Sequence, residues 1–314
     1  MPLTGNAFSF PWEVSLMEFL QTHIPAAGIS VISFFSMFGE ELFMVLVLGL
    51  LYWGIDKRYG KYVGLNVLMG TIWNPMAKNI AMRRRPYFDH EGIRILRVVE
   101  PEADIYDISA QGYSFPSGHS TCAAGLFGSL ARYRKNKAHT ALAVALPLLV
   151  GFSRVVVGAH YPTDVLVGWL FGALAIWIVP LLRRRIQSDF SFYGVLLLTA
   201  LPGIFFCRSA DYFTGVGLLV GCIVGSVIEE RYVRFSNTRH PLRVLLRVAG
   251  GAALFFVLNA LLKRPFSAAF LAGGTTAALL VRTARYALIA AIDFAVYPMA
   301  FDRIAPIRRL EASK

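Results

Sequence analysis

Apolar runs of bilayer length recur along this chain, and no other feature restricts its folding as strongly. About 20 consecutive apolar residues cross a hydrocarbon core as a helix. Inside that core only helices and closed barrels satisfy every backbone N–H and C=O. Of the 314 residues, 56% are hydrophobic and 16% charged, against roughly 25% charged in a soluble domain. The sequence therefore reads as an all-α polytopic membrane protein. Nine spans are expected, at 33–54, 60–79, 117–131, 138–156, 161–182, 191–207, 213–229, 242–262 and 281–301. The segment 267–280, apolar but glycine-containing, reads as re-entrant, as a short interfacial helix, or as the start of the last span. Residues 1–32 look amphipathic and are expected at the membrane surface. Residues 1–20 lack the basic start and small-residue cleavage site of a secretory signal.

The net charge of +12 would suggest nucleic acid in a soluble chain. Here the basic residues sit in short loops between apolar runs, which sets topology instead. Lys57, Arg58 and Lys61 form one group, Arg132, Arg134, Lys135 and Lys137 a second, and Arg183, Arg184 and Arg185 a third. Arg231, Arg234, Arg239, Arg243 and Arg247 follow, then Arg303, Arg308 and Arg309. With nine spans all fall on one face, which the positive-inside rule makes cytoplasmic. The amino terminus then lies outside and the carboxyl terminus inside. Lys78, Arg83, Arg84 and Arg85 break the rule on the opposite face, as charges that bind something do. Cys122, Cys207 and Cys222 lie in apolar segments and read as packing residues, without disulfide or metal spacing. The series Gly217, Gly221, Gly225 reads as a close helix-packing face.

Three polar stretches converge on that exceptional face: "KNIAMRRRP" with Lys78 and Arg85, "PSGH" at 116–119, and "SRVVVGAHYPTD" with Arg154, His160 and Asp164. Arginine matches the spacing of phosphate oxygens, and lysine adds a point charge. His160 and Asp164 are four apart, so on one helical face they meet. A carboxylate on one ring nitrogen would fix the tautomer and free the other nitrogen for attack. His119, on a different segment, is placed to protonate a leaving group. The helix start at Ser117–Gly118 offers N–H groups to an anion. An anion transporter, or structural polar packing, would also account for these residue types. Arg83 and Arg84 read as interface anchors that snorkel from helix ends. His23, His139 and His240 read as structural, and His90, in the outer loop, is more open. No zinc-like or magnesium-like ligand spacing is present.

The three stretches closely resemble the signature of the type 2 phosphatidic acid phosphatase (PAP2) superfamily. Lys78…Arg85-Pro86, Pro116-Ser117-Gly118-His119 and Ser153-Arg154…His160…Asp164 match it in order and without departure, across about a quarter of the chain. The resemblance implies a helical core like that of the vanadium haloperoxidases, with additional C-terminal transmembrane helices. It implies His160 as nucleophile through a phosphohistidine, Asp164 orienting it, and His119 as general acid and then base. Lys78, Arg85, Ser117, Gly118 and Arg154 would hold the phosphoryl oxygens. It implies no metal and no cofactor. The nine-span plan is topologically similar to glucose-6-phosphatase, and "GEELF" and "YWGIDKRYG" look like larger bacterial members.

The expected organisation is an amphipathic segment and first span at 1–59, the catalytic membrane core at 60–182, and added helices at 183–314. The expected activity is metal-independent hydrolysis of a lipid phosphate: phosphatidic acid, phosphatidylglycerol phosphate, undecaprenyl diphosphate or a sphingoid phosphate. A sugar phosphatase similar to glucose-6-phosphatase is the alternative, and a non-catalytic phospholipid binder or transporter the third reading. The expected partners are the lipid substrate, the phosphate product and the bilayer, with no nucleic acid and a homo-oligomer left open. The expected location is a bacterial inner or plasma membrane, with the active site extracytoplasmic.

Overall fold

A computed structural model describes residues 4–301. The chain begins with two helices, α1 (Pro11–His23) and α2 (Ala26–Phe34), which continues as a 3-10 turn to Gly39; the pair is bent by 117°. Then come α3 (Glu41–Gly49), continued by a π-helical turn to Ile55, and α4 (Lys57–Ala81). A loop carrying the short helices α5 (Pro86–Asp89) and α6 (Ile108–Gln111) leads to α7 (Gly118–Arg134), α8 (Lys137–Val156) and α9 (Pro162–Arg185). The remainder is α10 (Asp189–Ala200), α11 (Ala210–Ile228), α12 (Pro241–Leu261), the short α13 (Ala268–Ala272) and α14 (Thr276–Ala291).

The nine-span expectation does not hold. By length and composition, among the described residues, 4 helices can cross a membrane: α8, α9, α11 extended to Val233, and α12; a fifth is obtained if the bent α1–α2 pair counts as one span. The topological likeness to glucose-6-phosphatase, built on nine spans, falls with it. The reasons are local. The run 33–54 is broken at Glu40, which has extended backbone between the 3-10 turn and α3. Helix α4 is long enough, but it carries Lys57, Arg58, Lys61, Asn66, Asn74 and Lys78 and is wrapped by neighbours, with Val63, Met69 and Ile72 fully buried. Helix α7 has 17 residues and polar groups at His119, Ser120, Thr121 and Ser129. Helices α10 and α14 have 12 and 16 residues. A run of apolar residues reports burial, not whether lipid or protein covers it. Segment 267–280 is divided between α13 and the first turns of α14.

Helices α4, α7, α8 and α9 pack against one another as a bundle. Gly168 and Gly172 let α9 approach α7 closely: a Cβ at Gly168 would sit 2.6 Å from the Ser117 carbonyl oxygen. The chain direction alternates, so one end of the bundle collects Lys57, Arg134, Lys137 and Arg185, and the other Lys78, Gly118, Arg154 and Pro162. Outside this bundle α11 packs on α4 and α14. There the glycine series works as its spacing suggests, with would-be Cβ atoms at Gly217 and Gly221 within 2.4 and 2.2 Å of carbonyl oxygens on α14.

Residues 1–32 do not simply lie on the surface. Met17 is fully buried beside Val155, Tyr161 and Val165, and Gln21 donates to the carbonyls of Arg94 and Val156 at 2.8 and 3.0 Å. Arg303, Arg308 and Arg309 lie outside the described residues.

Candidate active site

Helix ends build the site. Helix α4 stops at Met82, whose left-handed backbone (φ 47°) turns the chain away just after Lys78. Ser117 caps α7, its hydroxyl accepting from Ser120 N–H, and its own N–H donates to the Asp164 carbonyl at 2.9 Å. After α8 the Arg154 carbonyl accepts from the N–H groups of Ala159 and His160, a turn that needs Gly158 at φ +76°. This wrap carries His160 back over the start of α9, one turn before Asp164.

The six side chains or backbones expected to meet phosphate or react with it at Lys78, Arg85, Gly118, His119, Arg154 and His160 all line a single cavity of about 440 Å³. Ser117 and Asp164 stand directly behind it and are fully buried. A Cβ placed on Gly118 would meet nothing within 4 Å, so the first turn of α7 faces open space.

The three cations are held by neutral groups. Lys78 Nζ donates to the Tyr113 carbonyl at 3.0 Å. Arg85 donates only to backbone carbonyls, of Gln111, Gly112 and Ala159, at 2.7–3.0 Å. Arg154 Nη1 donates to Ser36 Oγ at 3.2 Å, and its buried Nε has no partner. No ion pair among the described residues involves any of the three. Buried positive charge without a counter-ion is costly, and a phosphate dianion relieves that cost. Burial holds the Arg85 guanidinium below its ordinary pKa. Burial also holds His160 well below the ordinary histidine value, with Arg85, Arg154 and Lys78 pushing the same way, so its imidazole is neutral.

The His160–Asp164 contact is less direct than the four-residue spacing suggested. Nδ1 lies 3.6 Å from Asp164 Oδ2, beyond a hydrogen bond. Ser114 Oγ mediates: it donates to Asp164 Oδ2 and lies 3.5 Å from His160 Nδ1. Asp164 also accepts from Tyr161 N–H at 2.8 Å and from Arg83 Nη1 at 2.7 Å.

Arg83 is therefore no interface anchor. It is fully buried, bridges Asp164 to Glu13 of α1 at 2.7 Å on each side, and stacks 3.8 Å from the Tyr161 ring centroid. Glu13, also fully buried, accepts from the N–H and hydroxyl of Thr163. Arg84, by contrast, is a partly exposed partner of Asp89. Arg83, Glu13, Ser114 and Thr163 escaped the sequence reading. The available signal was Glu13, a lone acid between apolar neighbours in "PWEVSLM". His90 contacts Ser9 and the Tyr161 ring and does not line the cavity.

Residues 59–188 match a family profile described as "PAP2 superfamily", and residues 213–309 one described as "PAP2 superfamily phosphatase, transmembrane extension". The chain belongs to the PAP2 superfamily. The second profile's description names a phosphatase, and α8, α9, α11 and α12 are long and apolar enough to cross a membrane. Among curated proteins it is similar to Lipid A 1-phosphatase of Rhizobium johnstonii, 45% identical over 64 residues, covering 19% of this chain and 24% of that protein. It is also similar to Undecaprenyl-diphosphatase of Sulfolobus acidocaldarius, 25% identical over 56% of this chain and 79% of that protein. Undecaprenyl-diphosphatase BcrC of Bacillus subtilis is 27% identical over 55% of this chain and 87% of that protein. This PAP2 chain thus spans about a quarter of the rhizobial relative and most of the other two. No solved structure matches.

Proposed function

We propose that this PAP2 protein hydrolyses a phosphate monoester, or the terminal phosphate of a diphosphate, on a membrane lipid through a phosphohistidine at His160. The observation that carries the reading is the set of three buried cations without counter-ions on one cavity with two histidines. Ser114 favours the tautomer with the proton on Nδ1, which leaves the Nε2 lone pair for phosphorus. As the N–P bond forms, the bond from phosphorus to the lipid oxygen breaks, and His119 gives that oxygen its proton. A water then attacks phosphorus, His119 takes the water's proton, the P–N bond breaks, and phosphate leaves. Lys78, Arg85, Arg154 and the Gly118 N–H hold the equatorial oxygens, where charge grows in the transition state, and Ser117, behind the cavity, caps the helix that presents that N–H. With that much fixed positive charge the reaction runs without a metal ion.

In this reading 60–182 is the catalytic membrane core, 183–314 supplies the added helices, and 1–59 brings Glu13 to the Arg83 network. The site end of the bundle faces away from the cytoplasm, because the opposite helix ends carry Lys57, Arg134, Lys137 and Arg183–Arg185. Relatives named for lipid A and undecaprenyl diphosphate support a lipid substrate. The test is phosphate release by purified protein from phosphatidic acid, phosphatidylglycerol phosphate, undecaprenyl diphosphate, a sphingoid phosphate and glucose 6-phosphate. Lipids are expected to react, with activity kept in chelator and abolished in His160→Ala. A His160→Ala protein with full activity, or turnover of glucose 6-phosphate alone, defeats the reading.

A further inference from the structure

The cavity at the phosphate site continues far beyond it. On α4 it is lined by Lys78, Thr71, Leu68 and Gly64, whose spacings of seven, three and four keep them on one helical face. From the C-terminal extension, Leu218 and Cys222 of α11, Phe255 of α12 and Tyr286 of α14 line it opposite. Met44 and Leu48 of α3 close a third side. Around Gly64 the lining is apolar, with Leu48, Leu65 and Leu68. The lining also carries Glu41, Asn74, Asp211, Thr214 and Arg282, and near the far end Lys61, Ser226 and Asp293.

Length identifies the occupant. The 14 residues from Lys78 to Gly64 rise about 21 Å along α4. The hydrocarbon of one leaflet is only about 15 Å deep, half of a core roughly 30 Å thick. A chain anchored by its phosphate at the site and lying along this face therefore reaches past the bilayer midplane. A lipid whose chains stay in one leaflet would use about the first 70% of that length.

We propose that this passage is a binding channel for the substrate's hydrocarbon chain, walled on one side by the C-terminal extension, and that it favours a chain longer than one leaflet. This rests on the lipid phosphatase reading above. It assigns the extension a task that the catalytic residues leave unexplained: the extension measures the chain while the core reads the phosphate. Continuity with the phosphate site favours the substrate's own chain as occupant. Around Gly64, where Leu48, Leu65 and Leu68 line the passage, a sugar or a peptide would find few polar partners.

Gly64 gives a clean probe. A Cβ there meets only Leu48 Cδ2, at 3.9 Å, so a larger side chain enters the channel rather than the backbone of a neighbour. Gly64→Phe is expected to lower kcat/KM for decaprenyl diphosphate by at least about tenfold, while farnesyl diphosphate, too short to reach it, changes less than about twofold. Leu68→Trp serves as a second plug should the first misfold. Gly194→Phe, on the exposed side of α10 and outside the channel, is the control. Equal loss for both substrates, or no loss for either in folded protein, overturns the channel. A second arm needs no turnover. A long-chain alkyl phosphate with a terminal diazirine is photolysed in the His160→Ala protein and the adduct mapped by mass spectrometry. Labelling near Gly64 and Cys222 is expected. Labelling of outward-facing residues such as Leu198 or Phe190 instead overturns the proposal. Absence of phosphate release from every lipid, with channel labelling intact, would sink the phosphatase reading and leave the chain site standing.

Discussion

Arg83→Gln tests whether the Arg83 network holds the proposed site together. Arg83 is buried with two carboxylates, Glu13 and Asp164, each 2.7 Å away. It also donates to the Phe8 carbonyl at 2.8 Å and to the Thr163 hydroxyl at 2.7 Å. Both acids are fully buried, so solvent screens none of this. Glutamine loses the charge and most of the donors and leaves the acids facing one another's field. Removing one member of a buried ion pair destabilises by about 3–5 kcal/mol. Part of that is recovered when Glu13→Gln removes the excess negative charge, so the double variant is expected to melt above Arg83→Gln alone.

Activity should fall separately from stability. Asp164 would keep Tyr161 N–H and Ser114 but lose the group that fixes its other oxygen. Displacement of a positioned group by about 1 Å can cost about a hundredfold in rate, and that is the loss expected in kcat for folded Arg83→Gln. Arg83→Lys, which restores charge but not the fork, should lie between. The assay is a thermal melt in detergent together with kcat measured well below the melting point. An Arg83→Gln protein that melts with the wild type and turns over normally would show that the network carries neither stability nor alignment.

Three further outcomes are expected. Gly118→Ala should fold normally, since its Cβ meets nothing within 4 Å, yet lose at least about tenfold in kcat/KM because the methyl occupies space assigned to phosphoryl oxygens; an active variant would move the phosphate elsewhere. His160, depressed by burial and then by Arg85, Arg154 and Lys78, contributes stability that is complete above its ordinary value of 6.5 and is lost as pH falls toward its lower folded value. The melting difference between wild type and His160→Gln should therefore shift against the wild type below pH 6.5, and a flat difference would contradict a neutral buried imidazole. In a cysteine-free background, an impermeant thiol reagent applied to intact cells should label Glu102→Cys, exposed in the site-end loop, and spare Lys137→Cys, exposed at the basic end; the reverse pattern would put the site on the cytoplasmic side.

What the sequence made legible was residue chemistry. Lys78, Arg85, Arg154, His119 and His160 stand out because such groups are out of place beside apolar helices, and the structure brings all five to one cavity. The span count was not legible, because hydropathy measures only how apolar a segment is. Helix α4 hides its asparagines and much of its length inside protein, whereas α12 is mostly uncovered by protein, with 17% of its most apolar window buried. The three adjacent arginines show the same limit at the scale of single residues. A run of like charges suggests one role, but Arg83 turns inward to two carboxylates, Arg84 outward to Asp89, and Arg85 onto three backbone carbonyls. Backbone direction separates them. The left-handed residue Met82 reverses the chain, and the main-chain bonds of Asn6 with Met82 and Arg84 fix the turn that follows. A charged residue's role follows from where its charge is balanced: Arg83 has its counter-ions built in and is suited to hold structure, while Arg85 has none and is suited to wait for a ligand.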